Sequence, residues 1–285
     1  MSARSENAAG KAAETGQAWR PPEAEVQAEA AARRASQPER AGQPPPEVAA
    51  EVFGAALGKA RAFASLLATD GVTRGLIGPR EASRLWDRHL LNCAVVAELL
   101  PSRGQLVDIG SGAGLPGLVL AMMCPGLDVV LVEPMLRRTS FLQECVTALD
   151  LANVTVTRAR AEELAGCIQA DVVTARAVAP LDRLAGWASG LLRSGGMILA
   201  IKGQSAEEEV SAARPALARL GARSTEILRV GHDKVIPATT VVRVVLAHSG
   251  GKAGKVARSG DGAGKTVGRG REEQGGAHRR RPGLA

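Results

Sequence analysis

The sequence predicts an α/β fold: a mostly parallel sheet preceded by helices. Three observations predict it. Leu106, Val107 and Ile109 form a short apolar run that breaks at Gly110, Gly112 and Gly114 and resumes as the helical stretch 118–123, which is strand, turn and helix in succession. Four later apolar runs, 128–133, 154–157, 171–176 and 197–202, alternate with helical stretches, and most end in a charged residue. Strands buried on both faces of a parallel sheet have this continuous apolar character. The stretch 47–100 shows only helical patterning. Together these features describe a Rossmann-like domain with an N-terminal helical extension.

Taken in order, 1–46 is rich in Ala, Glu, Gln and Pro and has no periodic apolar face, so disorder is expected, with at most a transient helix at 23–34. The folded domain is expected over 47–248. Its first helix, 47–67, follows the Pro44–Pro46 start signal. A second helix, 81–100, stops at Pro101; Leu85, Leu90, Val95, Val96 and Leu99 make its core face, and Trp86, Arg88, His89 and Asn92 fall on its other sides. After the first βα unit, 128–133 is a strand ending in Glu133, and 136–149 is a helix. The strand 154–157 leads into a loop-to-helix junction at Ala161 and Glu162. Arg176 ends the next strand, Pro180 opens a helix running to Leu192, and Gly195–Gly196 turns into a strand that ends at Lys202. Ser205 caps a helix whose first turn carries Glu207, Glu208 and Glu209. The runs 226–230 and 239–246 are expected as an antiparallel pair at one edge. Gly and Lys/Arg dominate 249–285, which reads as a disordered basic tail.

Composition narrows the function classes. Of the formal net charge of +7, the tail supplies +6, from nine Lys/Arg against three Asp/Glu. The folded part is nearly neutral, so its charge alone does not make it an RNA binder. Cys93, Cys124, Cys145 and Cys167 are scattered without a C-x-x-C pair, so buried reduced thiols are expected and no metal. No apolar run reaches the roughly 18 residues of a membrane span. The N-terminus carries Glu6, Glu14 and Glu25 and lacks a secretory pattern. A cytoplasmic protein, expected as a monomer, follows.

The glycine turn is the chemical centre. A helix N-terminus beside glycines is a general anion site. Here Asp108 stands two residues before the first glycine, and the spacing is Gly-x-Gly-x-Gly. A carboxylate there disfavours a pyrophosphate and suits a ligand with cationic character and hydroxyls. S-adenosylmethionine fits; ATP and NAD fit less well. Glu133, 19 positions after Gly114, suits hydrogen bonding to ribose hydroxyls at the second strand's end.

The run Asp108-Ile-Gly-Ser-Gly-Ala-Gly resembles the first motif of class I S-adenosylmethionine-dependent methyltransferases. Its extension through Leu115-Pro116-Gly117, with Trp86-Asp-Arg-His-Leu-Leu-Asn92 upstream and Arg176-Ala-Val-Ala-Pro-Leu181 and Ile201-Lys202-Gly203 downstream, resembles the glucose-inhibited division protein B family. That resemblance covers about 47–248. It implies a methyltransferase acting on guanine N7 of 16S ribosomal RNA, at the family's guanine 527, with 16S rRNA or a small-subunit precursor as partner. It implies S-adenosylmethionine held by Asp108, Gly110, Gly112, Gly114, Leu115, Glu133, Ala161, Glu162 and Arg176, with Ala161 and Glu162 against the adenine. It implies that helix 81–100 lines the mouth of the site. Arg176, Lys202 and His89 are candidates for positioning the base, since N7 has a lone pair and needs no general base. Two alternatives stay open: a methyltransferase-like domain that binds RNA without catalysis, and a dinucleotide-dependent oxidoreductase, which Asp108 and the glycine spacing oppose.

Overall fold

The computed structural model describes residues 44–247; the expected tails, but for 44–46, and the transient helix at 23–34 lie outside them. Seven strands form one sheet in the order β3-β2-β1-β4-β5-β7-β6. They are β1 (Gly104–Ile109), β2 (Leu127–Val132), β3 (Val154–Thr157), β4 (Ala170–Arg176), β5 (Leu192–Lys202), β6 (Ala222–Val230) and β7 (Thr239–Leu246). The first five are parallel; β7 runs antiparallel between β5 and β6. The last two strands are thus the expected antiparallel pair, but the final one is inserted inside the edge. β5 starts earlier than expected: the helix after Pro180 is Leu181–Ser189, and Leu192 already pairs with Ala170. The Gly195–Gly196 pair therefore lies inside the strand, where the β4–β5 register shifts.

Alternation along the strands feeds two apolar layers, one on each face. Leu106 of β1 joins Phe63, Leu118 and Phe141 on one face, while Val107 and Ile109 join Leu184, Ile198 and Leu217 on the other. With only 2% aromatic residues, the layers are built mainly of Leu, Val and Ala.

The helical extension is more broken than expected. Residues 47–67 split into α1 (Val48–Phe53) and α2 (Leu57–Leu66), because Gly54 takes φ 48 and interrupts the winding. The stretch 81–100 winds as a 3₁₀ turn, a π segment over Leu85–Leu90, the short helix α3 (Leu91–Ala94) and a second 3₁₀ turn. The π winding turns both Trp86 and His89 inward. Trp86 therefore belongs to the core, edge-on to Phe53 at 6.0 Å between ring centroids, and not to the outer side. The remaining long helices are α4 (Gly117–Met123), α5 (Leu136–Ala148), α6 (Leu181–Ser189) and α7 (Ala206–Arg219). Cys93 and Cys145 are buried, Cys124 is half-buried, and Cys167 is exposed, against the expectation of four core thiols. Among the described residues no helix is long and apolar enough to cross a membrane, and no group of three His, Cys, Asp or Glu could hold a metal.

Candidate active site

From β1 the chain builds outward through β2 to β3 and then crosses back to lay β4 on the other side of β1, so β1 and β4 flank the switch point at which open α/β sheets bind ligands. The glycine turn sits at its carboxyl end. Gly110, Gly112 and Gly114 take φ of 66, 56 and 90, a region open to glycine at little cost. Their surroundings differ. A Cβ on Gly110 would meet Val178, and one on Gly114 would meet Leu118 and Phe63. A Cβ on Gly112 would find nothing nearer than the Gly110 carbonyl at 3.7 Å. Gly110 and Gly114 are therefore fixed by internal packing, and Gly112 is the one open to an approaching ligand. Leu115, half-buried, packs against the layer beneath.

Two carboxylates brace this turn. Glu133 is 1% exposed, not a solvated strand end. Its Oε2 accepts from the Gly112 N–H at 3.1 Å, and its Oε1 accepts from the Met135 N–H at 3.0 Å. Arg138 Nη1 also stands 3.5 Å from Oε2, while Oε1 keeps a second lone pair. Asp108 lies behind the turn, fully buried, rather than on the ligand side where the sequence placed it. Its Oδ2 accepts from the Gly117 N–H at 3.0 Å where α4 begins, and its Oδ1 is buried without a partner. Burial pushes its pKa up to about 7, against the pull of the Ser111 hydroxyl and the Gly117 N–H.

Beside Gly110 opens a cavity of about 190 Å³, lined by Ile109, Val132, Ala161, Glu162 and Val178 among others. Ala161 is buried, and Arg160 and Glu162 are exposed, so the slot is apolar at its floor with a base and an acid at its rim. It suits one flat heteroaromatic ring with a donor at its edge. The open face of Gly112, the buried Glu133 and this slot fit the amino-acid end, ribose and base of S-adenosylmethionine.

A second cavity, about 830 Å³, lies on the far side of Val178, which lines both. Arg88, Arg176, Lys202 and Arg229 contribute positive charge and Glu209 one negative charge, so the lining is cationic on balance. Arg176 donates to Cys93 Sγ at 3.3 Å and to His89 Nδ1. A guanidinium only donates, so His89 Nδ1 must accept, and the proton sits on Nε2, which donates to Glu81 Oε2 at 2.9 Å. His89 is thereby held neutral; burial first, and Arg176 second, lower its pKa. His89 does not line the cavity: it stands behind Arg176 and aims it. Glu81 also accepts from Arg88 at 3.2 Å. Lys202, 9% exposed at the side chain, donates to Glu209 at 2.7 Å and to the Ala179 carbonyl at 2.9 Å. Asn92 donates to the Asp87 and Arg88 carbonyls and accepts from Thr239 at 2.9 Å, tying the extension to β7.

The structure thus gathers Gly110, Ala161 and Glu162 around the small slot and Arg176 and Lys202 around the large one. Sequence reading missed Glu81, Cys93, Glu209, Thr239 and Arg229. Only Glu209 left a local signal, an acid in a helix's first turn, and that signal reads equally as a dipole partner.

A family model described as rRNA small subunit methyltransferase G matches residues 56–236. A Thermobifida fusca protein named Ribosomal RNA small subunit methyltransferase G is 58% identical over 202 residues, 71% of this chain and 85% of its own. Its namesake from Streptomyces coelicolor is 54% identical over 224 residues, 76% of this chain and 94% of its own. Another, from Mycolicibacterium gilvum, is 52% identical over 202 residues, 70% and 88% of the two chains. A model spanning more than half of the sequence, and relatives at this identity over most of their length, establish that the chain belongs to the rRNA small subunit methyltransferase G family.

Proposed function

We propose that the protein methylates N7 of a guanine in 16S ribosomal RNA, the family's guanine 527, using S-adenosylmethionine. Its family makes it an S-adenosylmethionine-dependent methyltransferase of small-subunit ribosomal RNA. One observation carries the finer reading: a ring-sized slot beside the glycine turn and a cationic cavity meet at Val178, so the two reactants would face each other across one side chain.

When bound, S-adenosylmethionine supplies an electrophilic methyl group. Gly112, Glu133, Ala161 and Glu162 would hold it, with the second lone pair of Glu133 Oε1 available to a ribose hydroxyl. Guanine N7 has a lone pair and no proton, so alignment and exclusion of water are the tasks left to the protein. Arg176, aimed by His89 and Cys93, has guanidinium donors to spare for O6 or a phosphate. N7 methylation leaves a positive charge on the base, which an uncompensated lysine nearby would oppose. Glu209 compensates Lys202 and Glu81 compensates Arg88, and both acids are already in place. Action in the cytoplasm, as a monomer, on 16S rRNA or a small-subunit precursor, goes with this reading.

The test uses radiolabelled S-adenosylmethionine and small-subunit RNA lacking the modification. Label is expected at one guanine, with the aniline-induced strand cleavage that N7-methylguanine gives after reduction. Label at another atom, or none, would overturn the proposal.

A further inference from the structure

Three large hydrophobic residues are strongly exposed among those described: Met135, Leu136 and Ile236. All three lie at the carboxyl edge of the parallel strands. Met135 and Leu136 follow β2, and Ile236 lies between β6 and β7, where Thr240 at the start of β7 pairs with Lys202 at the end of β5. Apolar exposure is concentrated on the edge that carries both cavities, the distribution expected of a contact surface.

Ile236 is the extreme case at 94% exposed, and the residue before it is anchored. The loop begins at Gly231, whose φ is 70 and whose added Cβ would strike Val95. Lys234 and Val235 both donate their N–H groups to the Gly231 carbonyl, at 3.0 and 2.9 Å. Val235 is 5% exposed, so the residue before Ile236 is anchored in the core. The residue after it, Pro237, lines the cationic cavity, and so does Arg229 on β6. Arg229 is exposed and makes no ion pair among the described residues. An isoleucine has a stiff χ1 and cannot fold itself back onto the surface as a methionine could. An apolar point held between an anchored residue and a cavity-lining one thus stands beside a cavity that carries cations.

A guanine in folded RNA is stacked and must leave the stack before a pocket can hold it. Apolar side chains pushed between bases unstack them. We propose that Ile236 is a wedge that enters the base stack beside the target guanine and holds the gap open while that base occupies the cationic cavity. The inference rests on reading that cavity as the guanine site.

The experiment compares wild type, Ile236→Ala and Ile236→Leu on two substrates. One is a folded 16S fragment with the guanine stacked; the other is an unstructured oligonucleotide carrying the same guanine. Ile236→Ala should lose about tenfold or more in kcat/KM on the folded fragment, equivalent to about 1.4 kcal/mol, and less than about twofold on the oligonucleotide. Ile236→Leu should restore most of the loss, and the melting temperature should not move, since the side chain buries nothing. A 2-aminopurine placed next to the guanine should brighten when wild type binds the folded fragment and stay dim with Ile236→Ala. Equal losses on both substrates, or no loss on the folded one, would overturn the wedge. If wild type methylated neither RNA, the proposed function would fall. The 2-aminopurine signal would still decide the wedge, and dim binding by wild type would overturn it.

Discussion

Asp108 holds the N–H of Gly117 with one oxygen and leaves the other buried and unpartnered, and its pKa stands at about 7 against an ordinary 3.8. A carboxyl raised in the folded state contributes stability that is complete below its unfolded pKa and lost as pH rises through its folded one. The window is therefore pH 4 to 7, with stability falling toward the alkaline side. His89 acts in the opposite sense: burial and Arg176 lower its pKa, so its contribution is present above 6.5 and lost as pH falls through the folded value. An Asp108→Asn variant keeps the acceptor for Gly117, removes the titration and leaves His89 unchanged. It should match or exceed wild type at pH 8, by up to roughly 4 kcal/mol at 1.36 kcal/mol per pKa unit, with the advantage shrinking toward pH 4. Denaturant unfolding at both pH values measures this; a difference independent of pH would show that Asp108 does not titrate in the window.

At the level of the element, the first βα unit separates packing glycines from Gly112, which has open space beside it. A Cβ at Gly117 would press on Leu131 and on Asp108 Oδ2, at 2.5 Å from the latter. Gly117→Ala should cost about 1–3 kcal/mol of stability through overpacking and lower the melting temperature. Gly112→Ala meets no such obstacle and should cost only the about 1–2 kcal/mol of a left-handed alanine. Its loss should appear as weakened S-adenosylmethionine binding by titration calorimetry, and unchanged affinity would remove Gly112 from the site. This unit was legible in the sequence because its signals are local: an apolar run, then glycines, then a helix. The parallel strands were legible for the same reason, and with them Arg176 and Lys202, since strand ends are where such sheets bind ligands. The 81–100 stretch was not. Its π winding, and the burial of Trp86 that follows, depend on contacts with α1 that no local spacing encodes. The partners that set the chemistry, Glu81 for His89 and Glu209 for Lys202, depend equally on tertiary placement: intervening loops and irregular turns decide whether residues eight or seven apart can meet.

Across the whole molecule, charge and topology divide the labour. Residues 249–285 carry +6 of the +7, while Arg88, Arg176, Lys202 and Arg229 line one cavity of the described domain. Deleting 249–285 should weaken affinity for 16S RNA and flatten its salt dependence, because fewer counterions are released. The choice of guanine should persist, because the pocket makes it. An unchanged salt slope in filter binding, or methylation of other guanines, would contradict that division. Topology carries a further consequence in the place of β7. Though last in sequence among the described strands, it lies between β5 and β6, and neither of those has another neighbour on the side it fills. During synthesis β5 and β6 reach the outside of the ribosome with open edges, the condition under which strands capture the wrong partner. Eight late residues, Thr239–Leu246, close both at once. The last strand works as a keystone: a chain halted before it would keep the whole parallel half of the sheet and still leave the edge of β5 and all of β6 unpaired.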